Sequence, residues 1–140
     1  MREGKVFVDT NIIIYAYTVS SEERHKIAVK IIEELWQSGL GAISMQVLQE
    51  FFTAVTSKIP NPLDLKSAKE IIKDLLRWEV IINDGESILE AIDIHQRHKY
   101  SFWDSMIIQA AIKGNATVLL SEDLSDGQVI NGLRIKNPFV

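Results

Sequence analysis

Short apolar runs that end in a polar residue alternate along this chain with longer stretches of helical periodicity. Lys5–Asp9 (KVFVD) is the first such run, and it reads as a buried strand that stops at an acid. The following TNIIIYAY reads either as a short helix or as a continuation of that strand. Ser20 and Glu23 have capping-box spacing, and Ala28, Ile31, Ile32, Leu35 and Trp36 then share one face. The pattern therefore predicts a helix over 21–38 that stops at Gly39. Gly41–Ser44 (GAIS) predicts a second strand, with Ser44 capping the helix MQVLQEFFTAVTS. The segment IPNP (59–62) is a break, after which Asp64 caps a helix with Leu65, Ala68, Ile71, Ile72, Leu75 and Leu76 inward.

The second half repeats the alternation. Glu79–Asn83 (EVIIN) predicts a third strand and 86–98 a less cleanly amphipathic helix. Ser101 opens a helix through Lys113 that closes at Gly114–Asn115. Thr117–Ser121 (TVLLS) predicts a fourth strand, the turn-rich SEDLSDG follows, and Leu133–Ile135 is a candidate fifth. Strands alternating with helices imply an α/β fold: a mostly parallel sheet of about five strands with helices on both faces. With no internal repeat, low-complexity tract or linker, residues 1–140 are expected to form a single domain.

Composition narrows the chemistry. The chain has no cysteine, which removes disulfides, thiolate metal sites and a cysteine nucleophile, and fits a reducing compartment. Asp9 interrupts the apolar start, so no signal peptide is expected, nor any stretch of the ~18 to 20 apolar residues that would cross a bilayer; a cytoplasmic location follows as the expectation. A net charge of −4 argues against a simple basic nucleic-acid-binding module. That argument weakens if the acids hold cations, because bound divalent ions are themselves the largest local charges.

In open parallel sheets ligands bind beyond the carboxyl ends of the strands. Asp9 follows VFV at such an end, and Asp123 stands two residues after TVLLS. Taken singly, each is equally well a local cap or turn residue. Glu50 lies about 40° outside the roughly 160° apolar arc of its helix, so it either snorkels to water or points along the sheet edge. Ser101-Phe102-Trp103-Asp104 has the S-x-x-D spacing of a capping box, and the helix dipole is expected to favour ionised Asp104. Four carboxylates with no soft ligand point to Mg²⁺ or Mn²⁺ and to phosphoryl transfer. Other chemistries fare worse. His95 and His98 lack a metalloprotease pattern, and no G-x-S-x-G elbow, Walker loop or G-x-G-x-x-G is present. The basic segment HQRHKY (95–100) reads first as a solvated helix end. A receiver domain also gathers acids beyond a sheet, but strands ending GAIS and EVIIN offer no well-placed lysine.

Taken in order, VFVDTNIIIYAY, SMQVLQEFFTAV, YSFWDSMIIQAA and LLSEDLSDGQ resemble the PIN-domain family, most closely VapC-type toxin ribonucleases, over nearly the whole chain. The resemblance implies a Rossmann-like sheet and a metal-dependent endoribonuclease. It carries the family's four acids, as catalytic and metal-holding residues, to Asp9, Glu50, Asp104 and Asp123. Asn11 is the usual neighbour of the first, and Ser121 is a hydroxyl lining the site. Glu122 and Asp126 stay open as contributors. The resemblance further implies an RNA substrate, a homodimer and a small antitoxin partner. The rival reading is a non-catalytic RNA- or partner-binding module on the same fold.

Overall fold

The computed structural model describes residues 4–140. Six strands form one sheet: β1 (Lys5–Val8), β2 (Gly41–Ser44), β3 (Glu79–Ile81), β4 (Ala116–Leu120), β5 (Val129–Ile130) and β6 (Leu133–Lys136). Their order is β3-β2-β1-β4-β6-β5, and every pairing is parallel except the two-residue β5 against β6. The sequence pattern anticipates five of these; β5 is too short to leave a periodic signal.

Between the strands lie α1 (Thr10–Tyr17), α2 (Glu22–Ser38), α3 (Met45–Ser57), α4 (Leu65–Leu75), α5 (Gly85–His98) and α6 (Phe102–Lys113). The chain steps outward from β1 through β2 to β3, then returns to β4 on the other side of β1. Right-handed crossovers therefore put α1–α4 over one face and α5 and α6 over the other. The packing agrees, with α1 against α2 and α3, α3 against α4, and α5 against α6. The strand order reverses between β1 and β4, both central and both covered. Phe7, Val8, Ile43 and Leu119 are completely buried there, with Ile12, Val47 and Phe51 from one face and Ile108 from the other.

Several local expectations change. TNIIIYAY is a helix, begun by Asp9, whose extended backbone (φ −72°, ψ 160°) and side chain cap α1. The cap of α2 is Ser21 rather than Ser20; its hydroxyl accepts from the Arg24 N–H at 3.4 Å. Leu65 and Leu76 face outward at the two ends of α4, where Ala68 and Leu75 supply the buried stripe. The third strand stops at Ile81, leaving Ile82 in solvent. A capping box of Asp84 and Ser87 opens α5. Asn115 (φ 60°), not Gly114, takes the left-handed position after α6.

One close approach fixes the outer sheet. A β-carbon on Gly41 would lie 2.7 Å from the Trp78 ring, which is buried and meets Trp36 edge to face at 5.5 Å. A rigid indole cannot swing clear, so Gly41→Ala is expected to destabilise the protein by about 1–3 kcal/mol, read as a lower urea midpoint at unchanged m-value.

Candidate active site

The reversal of strand order between β1 and β4 is where ligands bind in doubly wound sheets, and the acids converge there. Asp9 follows β1 directly. Its N–H donates to the Leu120 carbonyl at 3.0 Å, which ties it to the end of β4. Its Oδ1 accepts from the Thr10 N–H at 2.7 Å, and its Oδ2 accepts from the Ser121 hydroxyl at 2.8 Å. Only 8% exposed, this carboxyl is pushed up to about pKa 6, chiefly by burial. The Ser121 and Thr10 hydrogen bonds oppose that rise, while the charges of Glu50 and Asp104 add to it.

Glu50 enters from α3. The Thr10 hydroxyl donates to its Oε1 at 2.6 Å, and Gln46, one turn earlier on the same helix, donates to its Oε2 at 3.0 Å. Of the two orientations left open by the helical wheel, the one along the sheet edge is found. Asp104 approaches from the other face on the first turn of α6, where its N–H donates to the Ser101 hydroxyl at 3.1 Å. Burial raises its pKa, with Asp123 and Glu50 adding to the rise and Ser101 opposing it, so the dipole does not prevail as expected. Asp123 lies on the turn after β4. Its Oδ2 accepts from the Asn11 amide at 2.7 Å and its N–H donates to Ser121 at 3.3 Å.

Glu122 and Asp126 face elsewhere. Glu122 accepts from the Tyr15 hydroxyl at 2.7 Å and from Arg24 Nε at 2.6 Å, with the guanidinium lying over the Phe139 ring. That clamp joins α1, α2 and the turn that carries Asp123. Asp126 accepts from the Asn137 N–H at 2.8 Å. In HQRHKY, His95 bonds the Tyr100 carbonyl and Lys99 (φ 66°) ends α5, as a helix end does. Thr10 and Gln46 are the two residues of this network that sequence reasoning missed. The i, i+4 spacing of Gln46 and Glu50 is the only local signal for either.

Among the described residues, no three Asp, Glu or His side chains are arranged to hold an ion as they stand. Each of Asp9, Glu50 and Asp123 is instead satisfied by neutral side-chain donors. The chemistry of the set still fits a hard divalent cation: every donor is oxygen, and Asp9 and Asp104 carry raised pKa values to which neighbouring carboxylates contribute.

A doubly wound sheet with a carboxylate cluster at its switch point is the architecture these features define. The PIN domain family model matches residues 6–125, and the chain belongs to that family. Among solved structures, the chain is similar to a toxin–antitoxin complex from Klebsiella pneumoniae (TM-score 0.72, 18% identity, 96% of this chain and 98% of that one). It is also similar to VapBC2 from Rickettsia felis bound to a promoter DNA fragment (0.67, 20%, 94% and 97%). A third likeness is to VapC20 of Mycobacterium tuberculosis, a toxin that cleaves the sarcin–ricin loop (0.61, 20%, 82% and 87%). At these identities the likeness establishes the fold. No curated protein matches the chain.

An aspartate with a raised pKa stabilises the fold while it is protonated, and that contribution is lost as pH rises from about 4 through about 6. In chelator-treated buffer the wild-type melting temperature should therefore fall across this window. Asp9→Asn should flatten the profile and melt higher at pH 7.5, by an amount corresponding to at most about 3 kcal/mol. Thermal denaturation followed by circular dichroism measures both.

Proposed function

We propose that this protein is a Mg²⁺- or Mn²⁺-dependent endoribonuclease, the toxin of a toxin–antitoxin pair, acting at the Asp9–Glu50–Asp104–Asp123 cluster. The observation that carries the reading is Asp9: a nearly buried carboxylate at the switch point, with Glu50 and Asp104 close enough to help raise its pKa to about 6. Burying such a group is costly, and an acid perturbed by burial and by neighbouring charges is the kind of group found at functional sites. Membership of the PIN domain family supports the reading, as does likeness to toxins that include an RNA-loop-cleaving one.

Asp9, Asp104 and Asp123 would hold the ion or ions, with Glu50 completing the set. Divalent cations supply an acidified attacking water and charge neutralisation at the leaving oxygen. The protein's own contribution is orientation. The Thr10 N–H and Ser121 hydroxyl hold both oxygens of Asp9, the Thr10 hydroxyl and Gln46 amide hold those of Glu50, and the Asn11 amide holds Asp123. Fixed carboxylates need no reorganisation as charge develops on a phosphate. The assemblies that the neighbours form support an antitoxin partner; on this chain Met45, Phe52 and Leu76 leave an exposed apolar strip between α3 and α4 that suits one.

A second reading, a binding module without turnover, is favoured by the same hydrogen bonds, which already engage three of the carboxylates. Incubating labelled RNA with the protein and Mn²⁺ separates the two. Wild type should cut, and Asp9→Asn, Glu50→Gln and Asp104→Asn should each lose at least about 100-fold in rate while melting cooperatively. Wild-type rates in Asp9→Asn would sink the mechanism. Because ligation needs the ionised carboxylate, Mn²⁺ affinity measured by calorimetry should weaken as pH is lowered through about 6.

A further inference from the structure

Beside the acids stands an aromatic group that neither fold nor metal chemistry uses. Trp103 directly precedes Asp104 and is 62% exposed, its ring meeting that of Phe102 edge to face at 5.2 Å. Its backbone is nevertheless anchored: the Trp103 carbonyl accepts from Gln46 Nε2 at 3.2 Å. Gln46 is 7% exposed, and the same amide nitrogen donates to Glu50. The backbone that carries this exposed indole is thus tied to Glu50 through Gln46 and adjoins Asp104.

On the other side of Glu50, a groove of about 470 Å³ is lined by Thr10, Asn11, Gln49, Glu50, Thr53 and Lys58. Lys58 is its only cation, is exposed, and forms no ion pair among the described residues. The three features follow one another along α3, turning through about 120° around its axis. Gln46, which marks the Trp103 end, and Lys58 are separated by about 18 Å of helix axis, with Glu50 between them.

We propose that this path is the track of a single-stranded RNA substrate, with one base stacked on Trp103 and a backbone phosphate on Lys58, so that the intervening phosphodiester crosses the acids. The inference rests on the ribonuclease reading and adds to it which residues hold the substrate. Stacking on an exposed aromatic requires an unpaired base, because bases inside a duplex already stack on one another. The groove lining carries one cation, Lys58, and one acid, Glu50, so Lys58 is the charge there that suits a phosphate and offsets the repulsion between Glu50 and a polyanion.

The test is fluorescence anisotropy with a fluorescein-labelled mixed-sequence oligoribonucleotide of on the order of ten nucleotides, read before turnover in Mg²⁺, with cleavage followed on the same samples by gel. Trp103→Ala is expected to weaken binding at least about fivefold and Trp103→Phe to recover most of the loss. The same oligonucleotide annealed to its complement should bind less well than the single strand. Lys58→Gln should reduce the slope of log affinity against log salt by about 0.7, and Lys30→Gln on α2 should not. Unchanged affinity in Trp103→Ala, or equal binding of duplex and single strand, overturns the track, and the exposed indole then marks a protein contact. Binding without cleavage by wild type overturns the hydrolase reading alone, because the affinity comparison still decides the track. Absence of wild-type binding overturns both.

Discussion

The Asp9 carboxylate is the constraint around which the rest of this protein is arranged. It ends the central strand, caps the helix that follows and receives a hydroxyl from the end of the neighbouring strand, all within one residue. Burying an anion there is costly, and the structure offsets that cost with neutral donors and not with a cation. Among the described residues no lysine or arginine pairs with it. A resident salt bridge would favour the ionised carboxylate and hold its pKa down. The raised pKa is thus the signature of a site left incompletely neutralised.

Much of this was legible before any coordinates, for specific reasons. The strand KVFVD announces itself because an apolar run stops at an acid, and the switch-point rule then says where that acid must lie. Ser101 and Ser44 are legible as caps because capping is local chemistry. The partners of the acids were not legible in the same way. Thr10 and Glu50 are 40 residues apart and Asn11 and Asp123 are 112 apart, so no window of sequence contains both members of either pair. Glu122 stayed ambiguous for the same reason. Only when α1 and α2 are placed beside the β4 turn do Tyr15 and Arg24 claim it. The pKa of Asp104 was expected in the wrong direction because desolvation depends on tertiary packing, whereas a helix dipole can be read from one segment.

The division of labour between the adjacent Glu122 and Asp123 shows how the turn after β4 is built. One side chain points back into an aromatic and guanidinium clamp, and the next points to the acids. The bend at these two residues sends their side chains to different partners, so a two-residue step both anchors the turn and presents an acid. Ser121 completes it, its hydroxyl donating to Asp9 and accepting from the Asp123 N–H. A single serine therefore sets the relative placement of the first and last acids.

The sheet ends on both sides in very little strand: β3 has three residues and β5 only two. An exposed edge that short offers scarcely one repeat of the hydrogen-bonding ladder, and at the β3 end Glu79 is further occupied by Lys5 at 2.5 Å. Edges this short disfavour β-augmentation. An association made by side chains on the helices reads identity residue by residue, whereas one made by backbone accepts any extended peptide that matches.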